Sequence, residues 1–367
     1  MRTKLNQPQL LVAVLDWGMG HATRTLPLIQ HAVGEGWHVH IASKGTALSW
    51  LQSHMANEST RGHVTFHVKP GPDISYAKRG NFIKIAGQIP AFVAFVEKER
   101  QWTERFATHH QIDAILSDNC YGCATEDIPS VLLSHQLQLP TPKWLEGPAR
   151  AVVQRWASRF DALWVPDLAP GEHSLSGNLA NAAVHDNITY IGVLSRLARH
   201  HQPGREKKWA RVGMVSGVEP HRSLMEQALR KWMHKTDKPC LIVAGKPGGG
   251  VQTEGHITTW CDPSDAELAS ALQGAQTLIC RSGYSSQLDL AALQTNAILV
   301  PTPGQPEQEF LGQLWEARFG FTCLSQRQLE DGKIPDRATG AVPPALANTE
   351  AFQILSQWLR LAIPEPA

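Results

Sequence analysis

The sequence of 367 residues contains no apolar run of about 18 residues, which excludes a predicted helix that spans a bilayer. It has no excess of charge of one sign either, since 34 lysines and arginines stand against 33 acidic residues. This balance excludes a general attraction to nucleic acid. Residues 1–9 are polar and lack the apolar core of a signal peptide, so we expect a cytoplasmic protein.

Cysteine is scarce, and the uneven spacing of the six cysteines excludes a disulfide framework. Cys120 and Cys123 are separated by two residues, a spacing typical of redox sites and of one half of a zinc site. No second pair with this spacing and no neighbouring pair of histidines completes a zinc site. Reduced thiols are therefore the favoured interpretation.

Short apolar runs alternate with amphipathic stretches, which predicts parallel sheets covered by helices on both faces. A polar stretch at 198–208 separates two series of runs, so we predict an α/β protein of two Rossmann-like, doubly wound domains facing each other across a cleft. Their predicted bounds are 1–197 and 198–345, and a last helix within 346–367 is expected to pack back toward the first domain. The predicted strands are 10–15, 39–42, 64–68, 114–117, 131–134 and 162–165, then 212–215, 241–244, 256–259, 277–280 and 297–300.

The most informative stretch begins at Cys280, where an apolar run ends in small residues that open a helix. The N-terminus of such a helix offers backbone N–H groups that favour a phosphate. Asp289 lies further along the same helix, where its carboxylate suits the paired hydroxyls of a ribose. The next apolar run ends in a polar loop at 301–309, so two adjacent strand ends are expected to converge. This pattern predicts a nucleotide-sugar site.

A glycine turn follows the first predicted strand, with Gly18, Gly20 and then His21. The dinucleotide fingerprint is incomplete, because its third glycine is missing and no acid ends the second strand. The turn is instead expected to let an acceptor approach the backbone, with the His21 imidazole acting as a general base. The alternative is that His21 only caps the following helix.

Polar residues also follow two later strands of the first domain. Asp118 and Asn119 end one predicted strand, and His135 follows the next. An acid in this position is often a helix cap. Because two consecutive strands end in this way, we expect at least one of them to contribute to acceptor binding.

These motifs resemble those of GT-B glycosyltransferases of the family 28 type, which include the bacterial MurG transferases and plant galactolipid synthases. The Cys-Arg-Ser-Gly segment at 280–283 matches the MurG pattern, and Asp289 falls where that family has a ribose-binding glutamate. Gln308 and Glu309 fall on the family's paired glutamines, which hold the donor sugar. The resemblance implies the following donor-binding residues: Ser216, Gly217, Arg281, Ser282, Gly283, Tyr284, Ser285, Ser286, Asp289, Gln308 and Glu309.

The chain departs from the family pattern at two positions. The family's Gly-Gly-Ser loop appears here as Ser216 and Gly217 with a single glycine, so contacts of this loop to the diphosphate are in question. Asp289 is one methylene shorter than the family's glutamate. An Asp-x-Asp motif, which holds a divalent metal against a nucleotide diphosphate, is absent from the sequence. We therefore predict no metal and no cofactor.

The sequence thus predicts an inverting, metal-independent transfer of a sugar from a nucleotide diphosphate, with UDP favoured, to a hydroxyl of a lipid-linked or glycan acceptor. His21, or in second place Asp118, is expected to take the acceptor proton, with Gly18, Gly20, Asn119 and His135 binding the acceptor. A non-hydrolysing UDP-sugar epimerase and a non-catalytic nucleotide-sugar-binding protein stay open as alternatives. Residues 82–96 are interpreted either as a surface that docks on the inner face of a membrane or as a core-facing helix.

Overall fold

The computed structural model describes residues 7–71, 89–137, 143–181, 184–217, 219–246, 248–342 and 347–363. The chain divides into two compact units. The first unit comprises Met1–Pro170, Gly177–Leu194 and Asn348–Ala367, and the second comprises Gly171–Ser176 and Ser195–Ala347.

The first unit contains a seven-stranded parallel sheet in the order β3-β2-β1-β4-β5-β6-β7. The inner strands are buried on both faces, which explains why they appear as continuous apolar runs and not as alternating patterns. The strands are β1 (Gln9–Val14), β2 (His38–Ser43), β3 (Val64–Val68), β4 (Ala114–Asp118), β5 (Ser130–Leu133), β6 (Ala162–Val165) and β7 (Ile188–Tyr190). The helices are α1 (Gly20–Gly34), α2 (Gly45–His54), α3 (Ala56–Thr60), α4 (Ile89–His110) and α5 (Lys143–Ala157).

The second unit contains a six-stranded sheet in the order β10-β11-β9-β8-β12-β13. All neighbours pair in parallel except β10 and β11, which form an antiparallel hairpin at one edge. The strands are β8 (Trp209–Met214), β9 (Cys240–Val243), β10 (Val251–Glu254), β11 (Ile257–Trp260), β12 (Ala275–Cys280) and β13 (Ile298–Leu299). The helices are α6 (His221–Met233), α7 (Asp265–Gln273), α8 (Tyr284–Ala292), α9 (Pro306–Phe319) and α10 (Gln326–Glu330).

The last helix, α11 (Thr349–Ala362), belongs to the first unit. Its buried residues Leu355 and Leu359 lie in the same apolar cluster as Leu26 of α1. The ring of His31 stacks on Phe352 with the ring centroids 4.3 Å apart. This apolar face holds the end of the chain against the helix that follows the glycine turn.

Two parallel-dominated Rossmann-like units are therefore present, as the alternating pattern predicts. The sequence did not predict β7 and β10. β10 is exposed at all four positions, so it buries no apolar side chain that would produce a pattern. Of the segment 82–96, residues 82–88 lie outside the described residues, and the remainder forms the start of α4.

Four histidines of the first unit lie together near β2, β3 and the end of α4: His38, His40, His67 and His110. His40 is 5% exposed, and its Nδ1 lies 3.1 Å from His67 Nε2. Burial, reinforced by the neighbouring imidazoles, lowers the pKa of His40 to about 3. The same causes lower the pKa of His67 to about 4. The rings of His40 and His67 are therefore neutral in the folded protein at neutral pH.

This cluster predicts that the protein loses stability in mild acid. Between the folded pKa values of about 3 to 4 and the ordinary value of 6.5, the unfolded chain binds more protons, so stability falls as pH falls through that window. From about pH 7 to about pH 5, His40 alone should remove about 1–2 kcal/mol. Urea unfolding at both pH values should give a smaller difference for His40→Gln than for wild type. An exposed histidine outside the cluster, His173, serves as the control, and an equal effect of His173→Gln would contradict the assignment.

Candidate active site residues in the two units

The two motif stretches of the second unit meet in the structure. β12 and β13 are parallel neighbours, with Cys280 paired to Leu299, so their carboxyl ends lie side by side. The Ser282 hydroxyl donates to the Gln308 carbonyl at 2.7 Å. A Cβ atom on Gly283 would lie 3.8 Å from Gln308 Nε2. The predicted convergence of these strand ends is present.

Helix α8 begins directly at this convergence. Gly283 is its N-cap in an extended conformation, and its first turn carries no acidic side chain. Amide N–H groups of a first helical turn point along the axis toward the N-terminal end, where they favour an anion. The half-buried side chains of Ser285 and Ser286 lie in the same turn. The geometry therefore suits a phosphate group at this position.

The side chain of Arg281, within this motif, is buried and does not face solvent. Arg281 is 1% exposed, and its guanidinium donates to the carbonyls of Val300, Pro301 and His221 and to the Gln326 side chain. Burial lowers the pKa of Arg281 to about 10. Arg281 thus joins the loops around β12 and β13, and its expected role in donor binding stays a prediction.

The side chains of Ser282 and Tyr284 are buried as well, with exposures of 0% and 3%. The Ser282 hydroxyl is committed to the Gln308 carbonyl. The side chain of Ser282 thus supports the loop, and the donor-binding role expected for Ser282 and Tyr284 stays a prediction.

Gln308 and Glu309, the predicted sugar-binding pair, accept hydrogen bonds from backbone amides of the loop after β13. Gln308 Oε1 accepts from the Thr302 amide at 2.9 Å, and its Nε2 donates to Gln305 Oε1 at 2.5 Å. Glu309 Oε1 accepts from the Gly304 amide at 3.0 Å. Glu309 is exposed and Gln308 is half-buried, and Gln308 lies beside Gly283.

The carboxyl end of a third strand, β8, lies next to that of β12. Ser216 and Gly217 follow β8, the other neighbour of β12. Gly217 has φ +99°, which a side chain would strain, and a Cβ there would lie 3.6 Å from Thr302 Oγ1. The Thr302 hydroxyl is buried and has no hydrogen-bond partner among the described residues. Gly217, the single glycine of the loop after β8, is thus the residue at which this backbone approaches the loop after β13.

Asp289 is half-buried on α8, and Ser195 donates to its Oδ1 at 2.5 Å. Burial raises the pKa of the Asp289 carboxyl, while the charge of Arg196 and the Ser195 hydrogen bond act in the opposite direction. The sequence analysis missed Ser195 and Arg196. No local signal marks them, because Ser195 lies 94 residues before Asp289.

In the first unit, Asp118 at the end of β4 is fully buried and is the centre of a polar cluster. Arg24 Nε donates to its Oδ2 at 3.0 Å, and Arg24 Nη2 also contacts its Oδ1. The Thr25 hydroxyl donates to Oδ2 at 2.6 Å. His21 Nδ1 lies 2.9 Å from Oδ1. Both oxygens of Asp118 are therefore engaged.

The charge state of Asp118 follows from these partners. Burial alone would raise its pKa, but the Arg24 guanidinium and His21 hold the pKa well below its usual range. An ionised, buried acid with both oxygens bonded is a poor base for a bound acceptor. Of the two predicted candidates for the base, the geometry favours His21.

His21 lies in the first turn of α1, after the glycine turn in which Gly18 has φ +80° and Gly20 opens the helix. Its side chain is 13% exposed. The helix has no side-chain cap hydrogen bond at its N-terminus, so the alternative role of His21 as a cap is not seen. With Nδ1–H donated to Asp118, the imidazole would have an unprotonated Nε2 available for a proton.

Arg24 is the residue of this cluster that sequence reasoning missed. Besides Asp118, its Nη2 lies 2.9 Å from His21 Nδ1, and its Nη1 lies 2.7 Å from His135 Nδ1. His21 and Arg24 are three residues apart and share one helix face, which is the signal that could have revealed it. His135, expected to bind the acceptor, is 5% exposed and lies against Arg24.

Asn119 follows Asp118 with φ 54°, in the left-handed region. Its Oδ1 is buried and has no hydrogen-bond partner among the described residues. An unpaired buried oxygen favours a ligand that donates a hydrogen bond, which fits its predicted acceptor role.

Cys120 and Cys123 lie close to a third group, the buried carboxylate of Glu99, with all three ligand atoms within 4.8 Å of one another. The Lys69 ammonium donates to Glu99 Oε1 at 2.6 Å, and the Gly122 amide donates to Oε2 at 2.8 Å. A cation therefore already lies against the carboxylate. Both thiols are free, as expected for reduced cysteines.

No protein-family model matches the chain. Two curated relatives are similar in sequence, and both are named UDP-N-acetylglucosamine–N-acetylmuramyl-(pentapeptide) pyrophosphoryl-undecaprenol N-acetylglucosamine transferase. The protein of Albidiferax ferrireducens is 26% identical over 220 residues, which cover 57% of this chain and about half (52%) of that relative. The protein of Salmonella paratyphi A is 24% identical over 325 residues, covering 84% of this chain and 82% of the relative. Among the described residues, no helix is both long and apolar enough to cross a bilayer.

Solved structures with the same fold cover nearly the whole chain. The calicheamicin glycosyltransferase CalG4 matches with a TM-score of 0.58 at 13% identity, covering 97% of this chain and 94% of that one. MurG of Acinetobacter baumannii matches with a TM-score of 0.52 at 12% identity, covering 97% and 90%. These structures show that the chain has the GT-B glycosyltransferase fold, and its sequence is similar, at 24–26% identity, to the transferases named above.

Proposed function

We propose that this protein is an inverting glycosyltransferase that moves a sugar from a nucleoside diphosphate, with UDP as the nucleotide to test first, to an acceptor hydroxyl. The observation that carries the proposal is the pairing of a partly exposed histidine, His21, with the buried, ionised Asp118 at 2.9 Å. The names of the curated relatives, which specify UDP-N-acetylglucosamine, support the choice of nucleotide.

In the proposed reaction, the donor lies against the second unit. Its diphosphate takes the N-terminus of α8, where amide N–H groups stabilise the negative charge that grows as the nucleoside diphosphate leaves. Asp289 accepts from the ribose hydroxyls. Gln308, which lies beside Gly283, and the exposed Glu309 contact the sugar.

The acceptor lies against the first unit. Nε2 of His21 takes the proton of the acceptor hydroxyl as that oxygen attacks the anomeric carbon, and the bond from this carbon to the diphosphate oxygen breaks with its electron pair leaving on the diphosphate. Attack from the side opposite the leaving group inverts the anomeric centre. Asp118 holds the ring of His21 in the required orientation, and Arg24 keeps Asp118 ionised. The relatives' names specify an undecaprenol-linked acceptor, which supports a lipid-linked or glycan hydroxyl as the class to screen.

This donor site predicts turnover without a divalent metal. The sequence has no Asp-x-Asp motif, and the leaving diphosphate is assigned to helix and backbone N–H groups. Transfer rates measured after EDTA treatment and gel filtration should equal those of the untreated protein. Loss of activity that Mg²⁺ or Mn²⁺ restores would contradict metal independence while leaving the transferase assignment intact.

Donor binding and transfer test the proposed function directly. UDP should raise the thermal unfolding temperature of the wild type, because a ligand that binds only the folded state stabilises it. Asp289→Ala should reduce this shift, whereas Asp331→Ala, at a distant exposed position, should not. Incubation of UDP-N-acetylglucosamine with acceptor pools, followed by NMR, should then show a new glycoside of inverted configuration. A new isomer formed from the UDP-sugar alone would instead indicate an epimerase. Binding without turnover would indicate a non-catalytic nucleotide-sugar-binding protein.

A further inference from the structure

Two residues that begin the second unit, Ser195 and Arg196, lie against the acid of α8. Ser195 is 1% exposed, and its hydroxyl makes two directional contacts. It accepts from the Leu197 amide at 3.1 Å and donates to Asp289 Oδ1 at 2.5 Å. Because the amide occupies one lone pair of the hydroxyl, its single proton points at the carboxylate. The serine is thus a fixed donor to Asp289.

Arg196 supplies positive charge beside the same carboxylate. It is 11% exposed, forms an ion pair with Asp265, and interacts electrostatically with Asp289 and Asp262. Asp265 has a second, more distant partner in Arg199, whose Nη2 lies 3.5 Å away. Arg196 is therefore shared between the loop before α7 and the helix that carries Asp289.

The contact of Ser195 with Asp289 matters because the side chain of Asp289 is short. An aspartate reaches less far than a glutamate, so recognition of a ribose depends more strongly on where its carboxylate points. Ser195 engages Oδ1 and restricts the rotation of the carboxylate. The burial that raises the pKa of Asp289 is opposed by Arg196 and Ser195, which both favour the ionised form.

We propose that Ser195 is a positioning residue of the donor site, which orients the Asp289 carboxylate so that it accepts from the ribose of the nucleotide. This inference rests on the proposed function, since it assigns the ribose to Asp289. Ser195 need not touch the nucleotide. Its effect is transmitted through one carboxylate.

A double-mutant cycle tests Ser195, with UDP binding measured by calorimetry. Ser195→Ala should weaken UDP binding about tenfold, the usual size of the loss of a hydrogen bond to a charged group. Ser195→Thr, which retains the hydroxyl, should bind nearly as wild type does. Ser195→Ala added to Asp289→Ala should cause no further loss, because the serine acts through that acid. Unchanged affinity of Ser195→Ala, or additive losses in the double variant, would overturn the inference.

These outcomes separate the inference from the proposed function. If wild-type protein does not bind UDP, the proposed donor fails, and the inference fails with it. If wild type binds UDP and Asp289→Ala weakens binding while Ser195→Ala does not, only the inference fails. Circular dichroism and thermal unfolding of each variant verify that the fold is retained.

Discussion

Replacement of His21 by alanine is expected to lower kcat by about 10²–10⁴-fold, the usual contribution of a general base. The imidazole is partly exposed, its Nδ1 is held by Asp118, and its second nitrogen is the only atom of the described cluster suited to take the acceptor proton. Donor affinity should not change, because the donor is assigned to the other unit. The expected pattern is therefore a loss of kcat at unchanged Kd for UDP.

Initial rates at saturating donor and acceptor, together with UDP calorimetry, measure this effect. His173→Ala, at an exposed position outside the cluster, is the matched control and should retain wild-type rates. Turnover of His21→Ala within about threefold of wild type would exclude His21 as the base, since the loss of a general base costs at least about a hundredfold.

The second large effect concerns stability. Asp118→Asn should lower the free energy of unfolding by about 3–5 kcal/mol, because it leaves the buried charge of Arg24 without its partner. Arg24 is 2% exposed and Asp118 is fully buried, so water cannot replace the lost interaction. Arg24→Met alone should be similarly costly, because it leaves the Asp118 carboxylate uncompensated.

The double variant Arg24→Met/Asp118→Asn distinguishes a true ion pair from two independent contributions. Removal of both charges relieves the penalty of burying one alone, so the double variant should be far less destabilised than the sum of the single variants. Urea unfolding of the four proteins gives the coupling free energy. Additive losses would mean that the two side chains do not stabilise each other.

The strands and the helix starts were predictable because they depend on local sequence. β12 ends at Cys280, as its apolar run predicts, and α8 begins at Tyr284, after the small residues that were expected to open a helix. A buried parallel strand must be continuously apolar, and the small residues after it permit the turn. By contrast, α9 was not predicted, although Pro306 stands at its first turn, because its apolar face is limited to a few residues such as Leu311 and Trp315.

Burial and long-range pairing were not predictable in the same way. Arg281 lies in a motif that suggests anion binding, yet its guanidinium donates to carbonyls of two other segments and to the Gln326 side chain. Glu99 joins Cys120 and Cys123 only because α4 packs beside the turn after β4. Sequence spacing carries no information about such neighbours.

By itself, the sequence determined the succession of strands and helices, the glycine turns and the small-residue helix start, since these follow from the conformational preferences of neighbouring residues. Only the tertiary structure decided which charges are neutralised and which side chains remain exposed. Arg24 and Asp118 are 94 residues apart, as are Ser195 and Asp289, and the members of each pair are brought together by the tertiary structure. The chemistry of a carboxylate depends on its solvent exposure and its partners, and the fold supplies both.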